Sequence, residues 1–273
     1  MRVGRAQWLA ASLVAAALVG CRSVGAADGT AGPAAAVAPR AQAQAAAAPA
    51  TAPVAAPKFG PDGLPIVDVA AINQPFLEAK EVAKFVARFE RESREIFTDR
   101  VAIADAVRLR PGDRVADVGA GTGLFAPYFS LAVGAHGKVI AVDIAPLFLE
   151  HVRQRTLLDS LPNVTTLLCD QATTNLPSGS VDVVFICDTY HHFEQPAATL
   201  ASIHAALVPG GRLVVIDFHK IKGQSSDFVM GHVRADEATA VAEITAAGFA
   251  PVRREGFLKE NWFREFVRTE SGR

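Results

Sequence analysis

The stretch Val115-Ala-Asp-Val-Gly-Ala-Gly-Thr-Gly123 sets three alternate glycines behind an acidic residue, Asp117. Glycines at this spacing let the backbone bend tightly and come close to a ligand, and a helix start just beyond them offers unpaired N–H groups. Asp143 follows twenty positions after Gly123. An acidic side chain closing a strand there can accept hydrogen bonds from both hydroxyls of a ribose. The segment Asp188-Thr-Tyr-His-His192 adds a carboxylate, a phenol and two imidazoles. Histidine is the side chain best suited to take a proton near neutrality. Asp217, His219 and His232 form a further polar group. With His191 and His192 they could in principle ligate a metal, but no tight spacing such as H-x-x-x-H or C-x-x-C supports it, so no metal is predicted.

These residues need strands and helices to bring them together. Residues 114–118 read as a short buried strand, and residues 124–133 resume at helical spacing after the glycines. Strands are expected at 138–142, 164–168, 181–187 and 212–217, with helices at 146–159, 196–207 and 236–247 between and after them. Two last strands, 251–255 and 262–267, can pair as an antiparallel hairpin. Ahead of the glycine turn, Val82, Phe85, Val86 and Phe89 fall on one helical face, predicting a helix over 75–97 and a second over 99–107 with Thr98 as its N-cap. Strand–helix alternation of this kind implies an α/β fold with a mostly parallel sheet covered by helices on both faces.

The spacing G-x-G-x-G is not the dinucleotide fingerprint, which would want a small residue where Leu124 stands. The whole string VADVGAGTG with Asp143 resembles motif I of the class I S-adenosylmethionine (SAM)-dependent methyltransferases. LVPGGRLVVID, ending at Asp217, resembles the helix–turn–strand of the same family. The resemblance covers about residues 75 to 268. It implies a Rossmann-like seven-stranded sheet of order 3-2-1-4-5-7-6 with helices on both faces and a C-terminal antiparallel hairpin. Cover helices would occupy 59–110 and the methyltransferase domain 111–273. It also implies SAM as cofactor, held by Asp117, Gly119, Ala120, Gly121, Gly123, Asp143, Ile144, Asp170, Gln171 and Asp188. Asp143 would take the ribose and Asp170 the adenine amino group. The acceptor would meet Tyr190, His191 and His192, one of which acts as base, and it would be a small or lipid-like molecule, because no residues remain for a recognition domain. The rival reading is a non-catalytic envelope protein that keeps the fold and binds SAM or another nucleoside or metabolite.

The chain begins differently. Arg2 and Arg5 precede an apolar run at 8–19, which has the length of a signal-peptide core, and Leu18-Val-Gly-Cys21 resembles the lipobox of bacterial lipoproteins. Residues 1–21 are therefore expected to be a signal peptide with Cys21 lipidated. An ordinary secretory signal or an uncleaved anchor is the alternative. Arg22 rather than Asp follows the cysteine, which favours the outer over the inner membrane as the site of anchoring. The Ala/Pro-rich residues 22–58 read as a flexible tether. An exported domain and a cofactor made in the cytosol stand in tension, which keeps the binding-protein reading open. A formal net charge of −1 leaves no electrostatic footprint for nucleic acid. Cys169 and Cys187 end strands that two others would separate, about 14 Å apart, too far for a disulfide.

Overall fold

Seven strands form one sheet: β1 (Arg114–Val118), β2 (Lys138–Asp143), β3 (Val164–Leu168), β4 (Val181–Cys187), β5 (Leu207–Phe218), β6 (Phe249–Glu255) and β7 (Asn261–Arg268). The computed structural model describes residues 65–270. The expected signal peptide, Cys21 and the tether lie outside the described residues. The strand order is β3-β2-β1-β4-β5-β7-β6. β1 to β5 pair in parallel, and β7 runs antiparallel to both β5 and β6. This is the order and the closing hairpin that the motif I resemblance implies.

β4 shows why the sheet is covered twice. Val184 and Ile186 join one apolar cluster with Leu200, Ile203 and Ile244, while Val183 and Phe185 join another with Ile103, Val107 and Phe129. Successive residues point to opposite faces, and both sets are apolar, so neither face can be left to water. Leu200 and Ile203 come from α7 (Pro196–Ala206) and Ile244 from α9 (Glu237–Ala246). Ile103 and Val107 come from α4 (Arg100–Val107) and Phe129 from α5 (Ala126–Val133). Phe185 is wholly buried, edge-on to Phe125 at 4.9 Å and to Phe129 at 5.0 Å. Truncating such a ring to alanine costs about 3–5 kcal/mol.

The segment ahead of the sheet departs from the expected long helix over 75–97. It forms α1 (Val69–Leu77), α2 (Ala83–Phe89) and α3 (Glu95–Thr98) before α4. Asp68 caps α1 by accepting from the Ala71 N–H at 3.1 Å, so the helix starts earlier, and Pro75 removes a donor near its end. Thr98 is not a cap. It closes α3, and its hydroxyl turns back to the Glu92 and Arg94 carbonyls, both at 3.1 Å. The apolar stripe itself holds, since Phe85 and Phe89 pack with Phe76 and with Phe148 of α6 (Pro146–Leu158). Glu95 pins α3 to the turn before β7, its carboxylate accepting from the Lys259, Glu260 and Asn261 N–H groups at 2.5, 2.9 and 3.0 Å. A short helix, α8 (Asp227–His232), follows β5 and was not foreseen.

Candidate active site

β1 is paired with β2 on one side and β4 on the other, and the chain winds away from it in both directions. Ligands bind beyond the carboxyl ends of strands at such a reversal. A cavity of 780 Å³ opens there, within the ~300–1,000 Å³ typical of small-molecule sites.

The glycine turn forms one wall. Gly119 and Gly121 have φ of +75° and +53°, in the left-handed region that side chains resist. A Cβ on Gly119 would collide with the Thr189 side chain, whereas one on Gly121 would meet nothing nearer than Phe89 at 3.9 Å. The backbone at Gly121 therefore faces open cavity. Gly123 does not line the cavity. Its φ is +75° and a Cβ there would come within 2.9 Å of Val152, so its role is helix packing.

Asp143 closes β2 and holds the turn in shape. Its carboxylate accepts from the Gly121 N–H and the Ala145 N–H, each at 2.9 Å. Burial raises its pKa, and the backbone donors at Ala145, Gly121 and Ile144 oppose the rise. Asp117, 3% exposed, has no hydrogen-bond partner among the described residues, and burial together with the charge of Asp143 lifts its pKa to about 7. A buried, unpartnered carboxylate on a ligand cavity suits a cationic donor, such as the ammonium of an amino-acid group. Asp170, at the end of β3, accepts from the Ala172 and Thr173 N–H groups at 2.8 and 2.9 Å, and it lines the cavity with Ala120, Ile144 and Gln171. The glycine turn, the Asp143 carboxylate that braces it and the unpartnered Asp117 carboxylate on the same cavity fit SAM.

The segment after β4 forms the opposite wall. Asp188 has φ +48° and both carboxylate oxygens engaged, one by Arg94 and the other by Asn261 Nδ2 at 2.5 Å. Burial raises its pKa and Arg94 opposes the rise. Tyr190 turns away from the cavity. It is 1% exposed, and its hydroxyl donates to Glu243 at 2.6 Å. The phenol therefore belongs to the packing around Glu243 and Arg234 and does not reach an acceptor. His191 and His192 do line the cavity, as does His232 at the end of α8. His191 pairs with Asp217 at 2.7 Å, and His192 with Asn73 Oδ1 of α1 at 2.7 Å. Burial and the neighbouring histidines push His192 down to about 2 and His232 down to about 4, with Arg88 adding to both. Cys169 and Cys187 are free thiols, both raised by burial, Cys169 to about 12.

Residues 116–215 match the family model described as "Methyltransferase domain". Those residues, which hold the glycine turn, Asp143, Asp170 and the segment after β4, are thus similar to a methyltransferase domain. Over 113 residues it is 35% identical to the ubiquinone/menaquinone biosynthesis C-methyltransferase UbiE of Burkholderia vietnamiensis, covering 41% of this chain and 46% of that protein. It thus spans under half the length of the curated relatives it matches. A SAM-dependent methyltransferase from Aquifex aeolicus superposes with a TM-score of 0.61 at 24% identity, covering 69% of this chain and 99% of that one. The [4+2]-cyclase SpnF reaches the same TM-score of 0.61 at 14% identity, covering 78% and 100%. At these identities the likeness is one of fold.

Three residues at the site escaped the sequence reading: Asn73, Arg94 and Asn261. Arg94 and Asn261 reach Asp188 from 94 and 73 residues away. No local pattern marks such contacts. His232, read from the sequence as part of a polar group with Asp217 and His219, is carried to the cavity by α8, which Ser226 caps.

Proposed function

We propose that this chain is a SAM-dependent methyltransferase acting on a small-molecule or lipid-like acceptor. The observation that carries the reading is the orphan carboxylate of Asp117 beside the Asp143-braced glycine turn, in a cavity large enough for cofactor and acceptor together. When bound, SAM supplies an electrophilic methyl group on a sulfonium. Asp117 and the turn at Gly119–Gly121 bind its amino-acid end, Asp143 its ribose, and Asp170 with Gln171 its adenine. Asp188, fixed by Arg94 and Asn261, shapes the wall between cofactor and acceptor. His191 and His192 face the acceptor. Phe76, Phe89, Phe148 and Phe228 give that end of the cavity apolar faces suited to a flat or greasy molecule. Alignment of the two reactants contributes the larger part of such a displacement, and removal of the acceptor's proton the rest.

Calorimetry with SAM and S-adenosylhomocysteine tests the cofactor. Asp143→Ala removes charge-assisted bonds worth about 1.5–3 kcal/mol each, so affinity should fall at least about tenfold. Unchanged affinity sinks the assignment.

The location of the protein is part of the same proposal. The leader and Cys21 support export and lipid anchoring in a bacterial envelope. No described helix is long and apolar enough to cross a membrane. Cys21→Ser should release the protein from membranes or leave an unprocessed precursor, and mass spectrometry showing an unmodified Cys21 inside an intact leader rejects the anchor.

A further inference from the structure

His191, His192 and His232 each place a ring nitrogen within 4.8 Å of one from the other two. Their ring centroids lie 4.2, 5.1 and 5.2 Å apart. Two come from the short 3₁₀ turn Tyr190–His192 after β4, the third from the end of α8 after β5. Neighbouring strands bring together what no sequence spacing announces, and the expectation of no metal rested on that spacing alone.

The rings are oriented by the chain. Asp217 can only accept, so its 2.7 Å bond to His191 fixes the proton on Nδ1 and leaves Nε2 with a lone pair. The amide of Asn73 is fixed too, because Nδ2 donates to the His192 carbonyl at 3.0 Å and to Glu194 at 2.8 Å. Its Oδ1 then takes the Nδ1 proton of His192 at 2.7 Å, again freeing Nε2. His232 is stacked on Phe228, centroids 4.6 Å apart. Among the described residues, nothing donates to the remaining nitrogen of His191 or His192, and no hydrogen bond forms to His232. All three rings line the cavity, so a single cation there can take one nitrogen from each. A histidine whose far nitrogen is held by a carboxylate or amide is the usual form of a metal ligand, and three nitrogens with a fourth direction open to a cavity is the form of a catalytic site. Asn73, Asp217 and His232 all lie outside residues 116–215, the part that matches the family model.

We infer that His191, His192 and His232 bind one divalent transition cation of the zinc class, whose open position takes the thiol, phenol or enol heteroatom of the methyl acceptor. The acceptor role rests on the methyl transfer proposed above; the cation site does not. Coordination lowers the acceptor's pKa, so its proton leaves to solvent. The resulting anion forms a bond to the methyl carbon as the sulfonium S–C bond breaks. The S–C electron pair stays on sulfur and yields neutral S-adenosylhomocysteine. Arg88, over the Phe228 ring at 5.8 Å, adds a positive charge for the bound anion.

Untagged full-length chain, stripped with chelator, is titrated with zinc, and with cobalt(II) for its visible spectrum. One equivalent should bind, and cobalt should give the bands of a tetrahedral nitrogen site. His232→Gln and His192→Gln should each abolish tight uptake, and Asp217→Asn should weaken it about 10–100-fold. S-adenosylhomocysteine binding by His232→Gln should match wild type, which also shows that the variant folds. A wild-type chain that binds S-adenosylhomocysteine but takes up neither metal overturns the inference and leaves the methyltransferase reading standing. Full zinc stoichiometry in both histidine variants places the cation elsewhere and overturns it as well. Zinc uptake lost in His232→Gln, with no S-adenosylhomocysteine bound by wild type, supports the site and overturns its role toward the acceptor.

Discussion

Asp117→Asn should make this protein more stable and a worse binder at once. Asp117 is 3% exposed at the end of β1, and burial, then the charge of Asp143, lifts its pKa from 3.8 to about 7. Between about pH 4 and pH 7 the folded chain keeps a proton that the unfolded chain releases. The folded state binds more protons there, so this group's contribution falls as pH rises through that window. Above pH 7 folding must bury a bare carboxylate. A gap of about three pH units at ~1.36 kcal/mol each makes the penalty about 4 kcal/mol at most. Asparagine keeps the shape and removes the titration. Urea denaturation without added ligand should therefore show the variant ahead by about 2–4 kcal/mol at pH 8, with the gap closing toward pH 4. Affinity for S-adenosylhomocysteine should drop about 10–100-fold, because a charge-assisted bond worth about 1.5–3 kcal/mol is gone. Wild-type affinity should also weaken as pH falls below 7 and the carboxylate protonates. A variant less stable than wild type at pH 8, or a gap that does not change with pH, would refute the burial argument.

Two neighbouring glycines should respond unequally. Gly121→Ala adds a methyl in open space and costs about 1–2 kcal/mol for its left-handed backbone, while Gly119→Ala also strikes Thr189 and should cost about 3 kcal/mol or more; thermal melts compare them. Equal losses would mean that Thr189 yields freely. Arg94→Leu strands the buried carboxylate of Asp188 with Asn261 as its remaining partner, and denaturation near neutrality should show a loss of about 2–3 kcal/mol. A neutral result would remove Arg94 from the framework of the site.

The sheet was legible because its strands are short apolar runs punctuated by glycine and proline, a signal carried by neighbours in the chain. β1, β3 and β4 fall where the sequence pattern puts them, and Asp236, expected as the first residue of a helix, caps α9 instead, accepting from the Thr239 N–H at 2.8 Å. The glycine turn, Asp143 and Asp170 line the cavity from the ends of β1, β2 and β3, places that the same local pattern marks. What failed depended on distant partners. The helix over 75–97 breaks into pieces because Glu95 and Arg94 answer to the β7 turn and to Asp188, not to their own helix. Tyr190 and His191 are adjacent, yet one reaches Glu243 and the other Asp217. A sequence shows that the two side chains stand together, but the turn after β4 decides which way each points. His232 needed the six-residue α8, too short to show an apolar period.

The brace between Asp143 and Gly121 has a kinetic consequence. The chain's own carboxylate, rather than a ligand, sets the curvature of the glycine turn. A cofactor arriving there meets a surface already in its binding shape, so little ordering entropy opposes association. Encounter should proceed at the ordinary docking rate of about 10⁵–10⁷ M⁻¹s⁻¹, with no slow loop closure behind it. The Gly121 amide should resist hydrogen exchange before any cofactor is added, and its protection should then report how rarely the central sheet itself opens.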